Sequence, residues 1–467
     1  MPQRVFAMNN VGRLLTRTLG YCLISLPFAF FGFKVVIKDT LDPWVRYGVF
    51  ACAIGACLFI FALPLLKTKV RKNILLLIFS SITSIYAVEL VLTAAYHSEW
   101  SNQRELDRYV AQLNPFTKLE KILDLRKNGV LAVPAAPAGE KFEGGYVLGG
   151  ISESLVVFCD ESGEWATYQS DEFGFNNPPG SHINDIDLVL TGDSFTEGAC
   201  VNGGRDVASR LRVLGWNVLN LGKSGTGPLM QLATLAEYAE GLRPSYVLWL
   251  YYEGNDLKDL LSETRDRATL RRYLEKDFNF YLKARQNEIS KFMADLIEAR
   301  LVEETRRAGN SDRHPEYQRH RAFDSVDHSI ETLIAFAGLK FLRKMVVRLR
   351  AERISKNYLD QALPLFREVL KAADLRVRAW DGELIFVYLP QWSRYKWGFE
   401  VDETTERRAQ VLATVRDVGL KIIDFDIALQ AIENPLEIFP FGMPGHYNPL
   451  GYDLLAKQID NTLRQAH

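Results

Sequence analysis

The first hundred residues contain three long apolar stretches, which constrain the chain more than any other feature. They cover residues 19–37, 48–66 and 74–96, and each carries at most one charged side chain, Lys34 in the first and Glu89 in the third. A bilayer core requires about 20 apolar residues at about 1.5 Å per residue, so all three are long enough to cross it. We therefore predict a three-helix transmembrane anchor over residues 1–99. A cleaved signal peptide is an alternative for the first stretch alone.

The charges that flank these stretches predict their orientation. Residues 1–18 carry three arginines and no acid, and residues 67–72 carry four cations and no acid, whereas residues 38–47 mix both signs. Positive flanks stay on the cytoplasmic side of a membrane. The N-terminus is therefore predicted to be cytoplasmic, and three crossings place everything after residue 96 outside. In a bacterium with two membranes, the anchor lies in the inner membrane and the remainder lies in the periplasm.

The net charge of −1 is a sum over these two parts, +6 for residues 1–99 and −7 for residues 100–467. This balance argues against a nucleic-acid-binding surface that dominates the whole protein, so no nucleic-acid partner is expected. The lipid bilayer is the first predicted partner.

The exported part divides into a connector with an N-terminal extension, residues 100–185, and a larger domain, residues 186–467. The larger domain contains five short apolar runs separated by segments of helix length, at residues 187–190, 217–221, 246–252, 383–389 and 421–425. Such runs are typical of parallel strands covered on both faces, so we predict an α/β fold with a doubly wound sheet. A charged helical insertion, about residues 258–380, separates the third and fourth runs. Its apolar stretch at residues 333–342 is either a core helix or a helix on the membrane surface.

Four polar motifs lie at the ends of these runs or in the last loop. They are residues 191–198 (TGDSFTEG), 220–227 (NLGKSGTG), 253–257 (EGNDL) and 445–449 (GHYNP). Because the carboxyl ends of parallel strands meet at one edge of a sheet, the fold brings the motifs together. The set supplies a serine nucleophile, oxyanion donors and a histidine base, which acyl transfer through a covalent ester requires.

In this order the motifs resemble those of the SGNH (GDSL) hydrolase superfamily, over residues 187–467 apart from the insertion. The resemblance implies a flavodoxin-like, doubly wound, parallel five-stranded sheet. It implies that Ser194 is the nucleophile and that His446 is the general base and then the general acid. The N–H groups of Ser194 and Gly225 and the side chain of Asn255 would form the oxyanion hole. No metal or other cofactor is expected.

The chain departs from the family pattern at Met443. The family usually places an aspartate about three residues before the histidine, where it orients the imidazole. Here the orienting acid is Asp424, Asp426 or Glu437, or a backbone carbonyl takes its place. A Ser–His dyad of weak activity is the remaining alternative, since loss of the acid costs about 10⁴ in rate and leaves some activity.

Two of the five cysteines, Cys159 and Cys200, lie in the exported part, and the others lie in the predicted spans. An oxidising compartment favours a disulfide between them. This bond would connect the extension to the segment that follows Ser194.

The sequence therefore predicts a membrane-anchored serine esterase or O-acyltransferase acting on acyl esters of an extracytoplasmic glycan. The anchor is similar to that of membrane-tethered SGNH proteins of bacterial exopolysaccharide systems. That similarity implies an acylated glycan as substrate and other envelope polysaccharide-assembly proteins as partners. The alternatives are a glycan-binding or assembly module with a degenerate site, and a lipid esterase or thioesterase.

Overall fold

The computed structural model describes residues 67–113, 116–136, 138–182, 185–310, 336–395 and 401–465. The predicted spans at residues 19–37 and 48–66 lie outside these ranges. The chain forms two compact units, Met1–Ala94 and Ala95–His467, which are treated separately below.

The described part of the first unit is helical. Helix α1 covers Thr68–Leu113. Of the residues that the structure describes, Thr68–Ala94 is the one helical segment long and apolar enough to cross a membrane, with a mean hydropathy of 2.1. Many of its apolar side chains are exposed, among them Leu76 and Phe79, whereas Glu89 is buried. The third predicted span therefore coincides with a helix of suitable length and composition.

The extension begins the second unit and builds two small sheets. Helix α2 (Lys118–Lys127) starts at a capping box, in which Thr117 and Glu120 satisfy each other's backbone N–H groups. The strands that follow are β1 (Ala132–Pro134), β2 (Lys141–Phe142), β3 (Gly145–Tyr146), β4 (Leu155–Val157) and β5 (Thr167–Gln169). The order in the first small sheet is β1-β4-β5, with β4 and β5 antiparallel, and β2 pairs with β3. The loop between β4 and β5 lies close to the candidate site described below.

The central sheet of the second unit has five strands, all parallel, as predicted. They are β6 (Leu188–Gly192), β7 (Val218–Asn220), β8 (Tyr246–Tyr252), β9 (Glu383–Leu389) and β10 (Lys421–Asp424). Their order is β10-β9-β8-β6-β7, the doubly wound arrangement in which the strand order reverses between β6 and β8. The reversal opens a crevice beyond the carboxyl ends of these strands, where three of the four motifs lie.

Helices cover both faces of this sheet. They are α3 (Ser194–Glu197), α4 (Val207–Val213), α5 (Pro228–Tyr238), α6 (Asp256–Asp266), α7 (Gln286–Asn310), α8 (Lys340–Arg378), α9 (Val401–Val418), α10 (Phe425–Gln430) and α11 (Pro449–Gln465). Strand side chains alternate between two cores. Trp249 and Tyr251 pack in the core that contains α5, α6 and α8, whereas Leu248 and Leu250 pack in the core that contains α4 and α11. This alternation explains why the strands are apolar throughout.

The insertion contributes core helices to the same compact unit. The apolar stripe of α7 is buried: Ile289 and Met293 join the sheet core, and Ile297 and Leu301 join the core of the extension. The second half of α8 packs Phe366 and its neighbours on the sheet. Of the apolar stretch at residues 333–342, only residues 336–342 are described, so its two interpretations stay open.

Candidate active site

Ser194 stands where β6 turns into a short helix. Asp193 is the N-cap residue of α3, and its carboxylate accepts the N–H of Phe195 at 2.9 Å. Gly192 is required because a Cβ there would lie 2.1 Å from Oγ1 of Thr196. Gly198 ends the helix in the left-handed conformation. The turn is therefore sharp, and it leaves the serine at the carboxyl edge of the sheet.

His446 lies beside the serine, in the loop before α11. Its Nε2 is 2.9 Å from Oγ of Ser194. The ring of Phe195 lies against the imidazole with a centroid distance of 4.7 Å and stacks on Tyr252 behind it. The imidazole is thus held at hydrogen-bond distance from the hydroxyl, which suits it to accept the hydroxyl proton.

The acid that faces His446 is Glu161, which the sequence analysis did not select. Its Oε1 is 2.9 Å from Nδ1 of the imidazole, and its Oε2 accepts the backbone N–H of His446 at 2.6 Å. Gly445 makes this approach possible, since a Cβ at that residue would lie 2.5 Å from Oε2. The carboxylate therefore fixes both the ring and the backbone of the histidine.

The three acids that the sequence suggested for this role lie elsewhere. Asp424 caps α10 and pairs with Arg408. Asp426 accepts hydrogen bonds from Tyr395 at 2.7 Å and from Gln430 at 2.8 Å. Glu437 is on the surface, where it accepts a hydrogen bond from Asn434. Proximity in sequence to His446 was the wrong criterion, because the acid comes from the extension, 285 residues earlier.

The predicted oxyanion donors lie on the turns that follow β6, β7 and β8. Within the described ranges, the N–H groups of Ser194 and Gly225 donate to no protein acceptor. Gly225 has φ +76°, a conformation that favours glycine. Asn255 is the N-cap residue of α6, and its side chain lies beside Asp193 and lowers the pKa of that carboxyl. Burial acts in the opposite direction and has the larger effect, so the pKa of Asp193 is raised to about 6.

A buried ion pair connects the serine turn to the Gly225 turn. Glu197 and Lys223 are nearly inaccessible and pair at 2.8 Å. Glu197 also accepts the Tyr168 hydroxyl at 2.6 Å and the Ser224 N–H at 2.7 Å. Burial alone would raise the pKa of Glu197, but the Lys223 charge and these hydrogen bonds outweigh it and lower the pKa below 4.5. The residue before Gly225 is therefore fixed to the helix that carries Ser194.

Replacing Glu197 with glutamine is expected to lower the free energy of unfolding by about 3–5 kcal/mol, because it leaves the Lys223 ammonium buried without a counter-charge. The measurement is guanidinium denaturation of parent and variant at pH 7, followed by tryptophan fluorescence. A carboxylate with a lowered pKa stabilises the fold only while ionised. The difference between parent and variant should therefore be complete above pH 4.5, the usual value, and decrease as the pH falls through the lowered pKa.

The matched control is the double variant E197Q/K223M, which removes both charges. It should be more stable than E197Q alone, since no uncompensated charge remains. Equal unfolding free energies for the parent and E197Q would contradict the role given to this pair.

The structure contains the Cys159–Cys200 disulfide that the sequence suggested. Its Cys200 Sγ lies 3.4 Å from Nδ1 of His446. The two sulfurs and the imidazole lie close enough together to resemble a metal site. Zinc-type sites require free thiolates, which the disulfide removes. Two of the described aromatic residues after β9 hydrogen-bond within the protein: Trp392 donates to the Gly442 carbonyl at 2.7 Å, and Tyr395 donates to Asp426.

Comparisons with known proteins found similarity among solved structures. No family model and no curated protein matches the chain. A putative lipolytic protein of the G-D-S-L family from Desulfitobacterium hafniense DCB-2 is 13% identical, with a TM-score of 0.31, over 60% of this chain and 99% of that one. The lipase/acylhydrolase from Enterococcus faecalis is 13% identical, with a TM-score of 0.31, over 60% of this chain and 96% of that one. The acetyl xylan esterase AlAXEase is 9% identical, with a TM-score of 0.30, over 60% of this chain and 100% of that one. Similarity at this identity and TM-score does not establish a function for this chain.

Proposed function

We propose that this protein is a serine ester hydrolase or O-acyltransferase of the SGNH type that works through an acyl-serine intermediate. One observation carries the proposal, the continuous contact from Ser194 through His446 to Glu161, with both ring nitrogens at 2.9 Å from their partners. A nucleophile, a base and an acid that orients the base are the functional parts of a catalytic triad. The turns after β6, β7 and β8 add the oxyanion donors.

The geometry suits a two-step acyl transfer. Nε2 of His446 accepts the hydroxyl proton as Oγ of Ser194 attacks the ester carbonyl, and Glu161 stabilises the imidazolium that forms. The N–H groups of Ser194 and Gly225 and the Asn255 amide stabilise the oxyanion. His446 then protonates the leaving alcohol, and the acyl group stays on the serine. Water completes hydrolysis, or a sugar hydroxyl completes transfer, with the histidine acting as base again.

The degenerate-site alternative rested on Met443 in place of the acid and on the long helical insertion. Glu161 places a carboxylate against His446, so the first of these two grounds no longer holds. The lipid esterase or thioesterase alternative rested on residues 333–342, which are described only in part. It becomes an outcome of the substrate test below.

The proposed location is a bacterial inner membrane with the catalytic unit on the periplasmic side. Support comes from the three apolar stretches, from their flanking charges and from α1, which has the length and hydropathy of a spanning helix. An outward-facing ester hydrolase or transferase meets envelope glycans, so an acylated extracytoplasmic glycan is the proposed substrate. Envelope polysaccharide-assembly proteins are the proposed partners.

The decisive experiment is active-site labelling of the full-length chain, purified in detergent, with a serine-directed fluorophosphonate. Peptide mass mapping should place the label on Ser194, because the adjacent imidazole activates that hydroxyl alone. Absence of label, or labelling spread over several serines, would refute the proposed catalytic function.

Substrate class is tested separately on the protein that labels. An acetylated envelope polysaccharide, a long-chain phospholipid and an acyl thioester are offered at equal ester concentration, and the released acid is measured. Preferential release of acetate from the polysaccharide supports the glycan proposal, whereas faster release of fatty acid or thiol favours the alternatives. A sugar acceptor that gains the acyl group identifies transfer rather than hydrolysis.

A further inference from the structure

The proposed triad draws on two parts of the chain that the central sheet does not connect. Ser194 follows β6 and His446 precedes α11, so both belong to the α/β core. Glu161 lies instead in the loop between β4 and β5, in the small sheet of the extension. The acid reaches the histidine only if this loop is fixed against the core.

The Cys159–Cys200 disulfide makes that connection covalently. Cys159 is two residues before Glu161, and Cys200 is six residues after Ser194. Around the bond, Phe158 packs with Ala199 and Cys200 in a small apolar cluster. The bond therefore joins the loop that carries the acid to the segment that carries the nucleophile.

The disulfide also lies directly against the histidine. Cys200 Sγ is 3.4 Å from Nδ1 of His446, the same nitrogen that Glu161 contacts at 2.9 Å. Cys200 is buried and has φ +61°, a left-handed conformation that is unfavourable for a residue with a side chain. Its backbone is thus held in a costly conformation at the point where sulfur and carboxylate converge on one imidazole nitrogen.

Glu161 itself is weakly enclosed. Its side chain retains 28% of its possible exposure, and residues 161–164 form a bend rather than part of a strand. The neighbouring hydrogen bonds, Phe158 N–H to Ala166 O and Ala166 N–H to Cys159 O, close the base of the loop and not its tip. Two hydrogen bonds from His446 hold the Glu161 carboxylate, and the disulfide two residues away limits how far the loop tip can move from the histidine.

We propose that the Cys159–Cys200 disulfide positions Glu161 on His446, so that the triad is assembled in the oxidised protein and its acid is displaced on reduction. The inference rests on the proposed catalytic function, and it makes Cys159 and Cys200 positioning residues. Reduction by a dithiol takes up two electrons and two protons and gives two cysteine thiols, while the dithiol becomes a cyclic disulfide. The bond broken is the one between the two sulfurs, and no other bond of the protein changes.

The test compares four full-length proteins in detergent, namely the parent, C159A/C200A, E161Q and the combination of all three substitutions. Steady-state hydrolysis of a small aryl acetate gives kcat and KM. We expect C159A/C200A to lower kcat by about 100-fold, the scale expected from small displacements of a catalytic group, with little change in KM. A loss of folded protein would also lower the apparent kcat, so circular dichroism of each variant checks that it is folded.

The combined variant distinguishes positioning from a merely structural effect. If the disulfide acts through Glu161, its removal should cost nothing further once E161Q is present, because residues that act as a unit are non-additive. Losses that multiply would overturn the proposal, as would an unchanged kcat in C159A/C200A.

Dithiol treatment of the parent provides a second route that does not depend on the folding of the variants. The reduced parent should match the kcat of C159A/C200A and recover on reoxidation, whereas C159A/C200A should be insensitive to the dithiol. An insensitive parent, with reduction verified by thiol counting, would overturn the proposal. Fluorophosphonate labelling of the oxidised parent distinguishes failure of the positioning proposal from failure of the proposed catalytic function. If Ser194 takes no label, the catalytic function itself is refuted.

Discussion

Replacing Ser194 with alanine is expected to lower kcat for a small aryl acetate by about 10⁶-fold, the loss that follows removal of a triad nucleophile. The reason is that no other hydroxyl is placed at 2.9 Å from Nε2 of His446 in the part of the chain that the structure describes. The measurement is a stopped assay over hours with the full-length protein, so that slow turnover is still detected.

The matched control is Ser262→Ala, on the second turn of α6, where the hydroxyl hydrogen-bonds only to Asp266 among the described residues. It should retain the parent kcat. Equal turnover by S194A and the parent would mean that hydrolysis occurs elsewhere, and the proposed acyl-serine intermediate would have to be abandoned.

Glu161→Gln carries the second large expected effect, a fall in kcat of about 10³–10⁴-fold. Glutamine fills the same space and keeps one oxygen acceptor, but it lacks the charge that stabilises the imidazolium while Ser194 attacks. KM should change little, because Glu161 contacts His446 and not the substrate. Steady-state kinetics at pH 8, compared with circular dichroism of the folded protein, provides the measurement.

Two Glu→Gln variants at other positions serve as controls for this measurement. Glu164→Gln makes the same chemical change at an exposed position three residues further along the loop, and should be neutral. Glu437→Gln tests the acid that most closely precedes the histidine in sequence, and it too should retain activity, because Glu437 contacts Asn434 instead. A loss with E437Q and none with E161Q would contradict the assignment made from the structure.

The strands and the grouping of the motifs followed from the sequence. Each of the five predicted runs is a strand of the central sheet, shifted by at most a residue or two, because a parallel strand buried on both faces is apolar throughout. Since such strands end at one edge, the order of the motifs along the chain was enough to place Ser194 and His446 together.

Glu161 was not predicted, and the reason is physical. Its role depends on a contact between residues 285 positions apart, and no periodicity or spacing encodes such a contact. One signal was available: the predicted Cys159–Cys200 disulfide placed the residues around Cys159 next to the segment after Ser194. Glutamate two residues from that cysteine was therefore a candidate, but the search for an acid was confined to the neighbourhood of His446.

The dispersed order of Glu161, Ser194 and His446 also determines when, during synthesis, the proposed triad can be completed. The serine and the histidine are 252 residues apart, and α11 immediately after the histidine is the last described helix. A chain emerging from the ribosome therefore exposes its nucleophile long before its base exists. Contacts between such distant segments form late in folding. A premature stop before residue 446 would yield a chain that has Ser194 but no His446, so the proposed triad cannot be completed until residue 446 has been made.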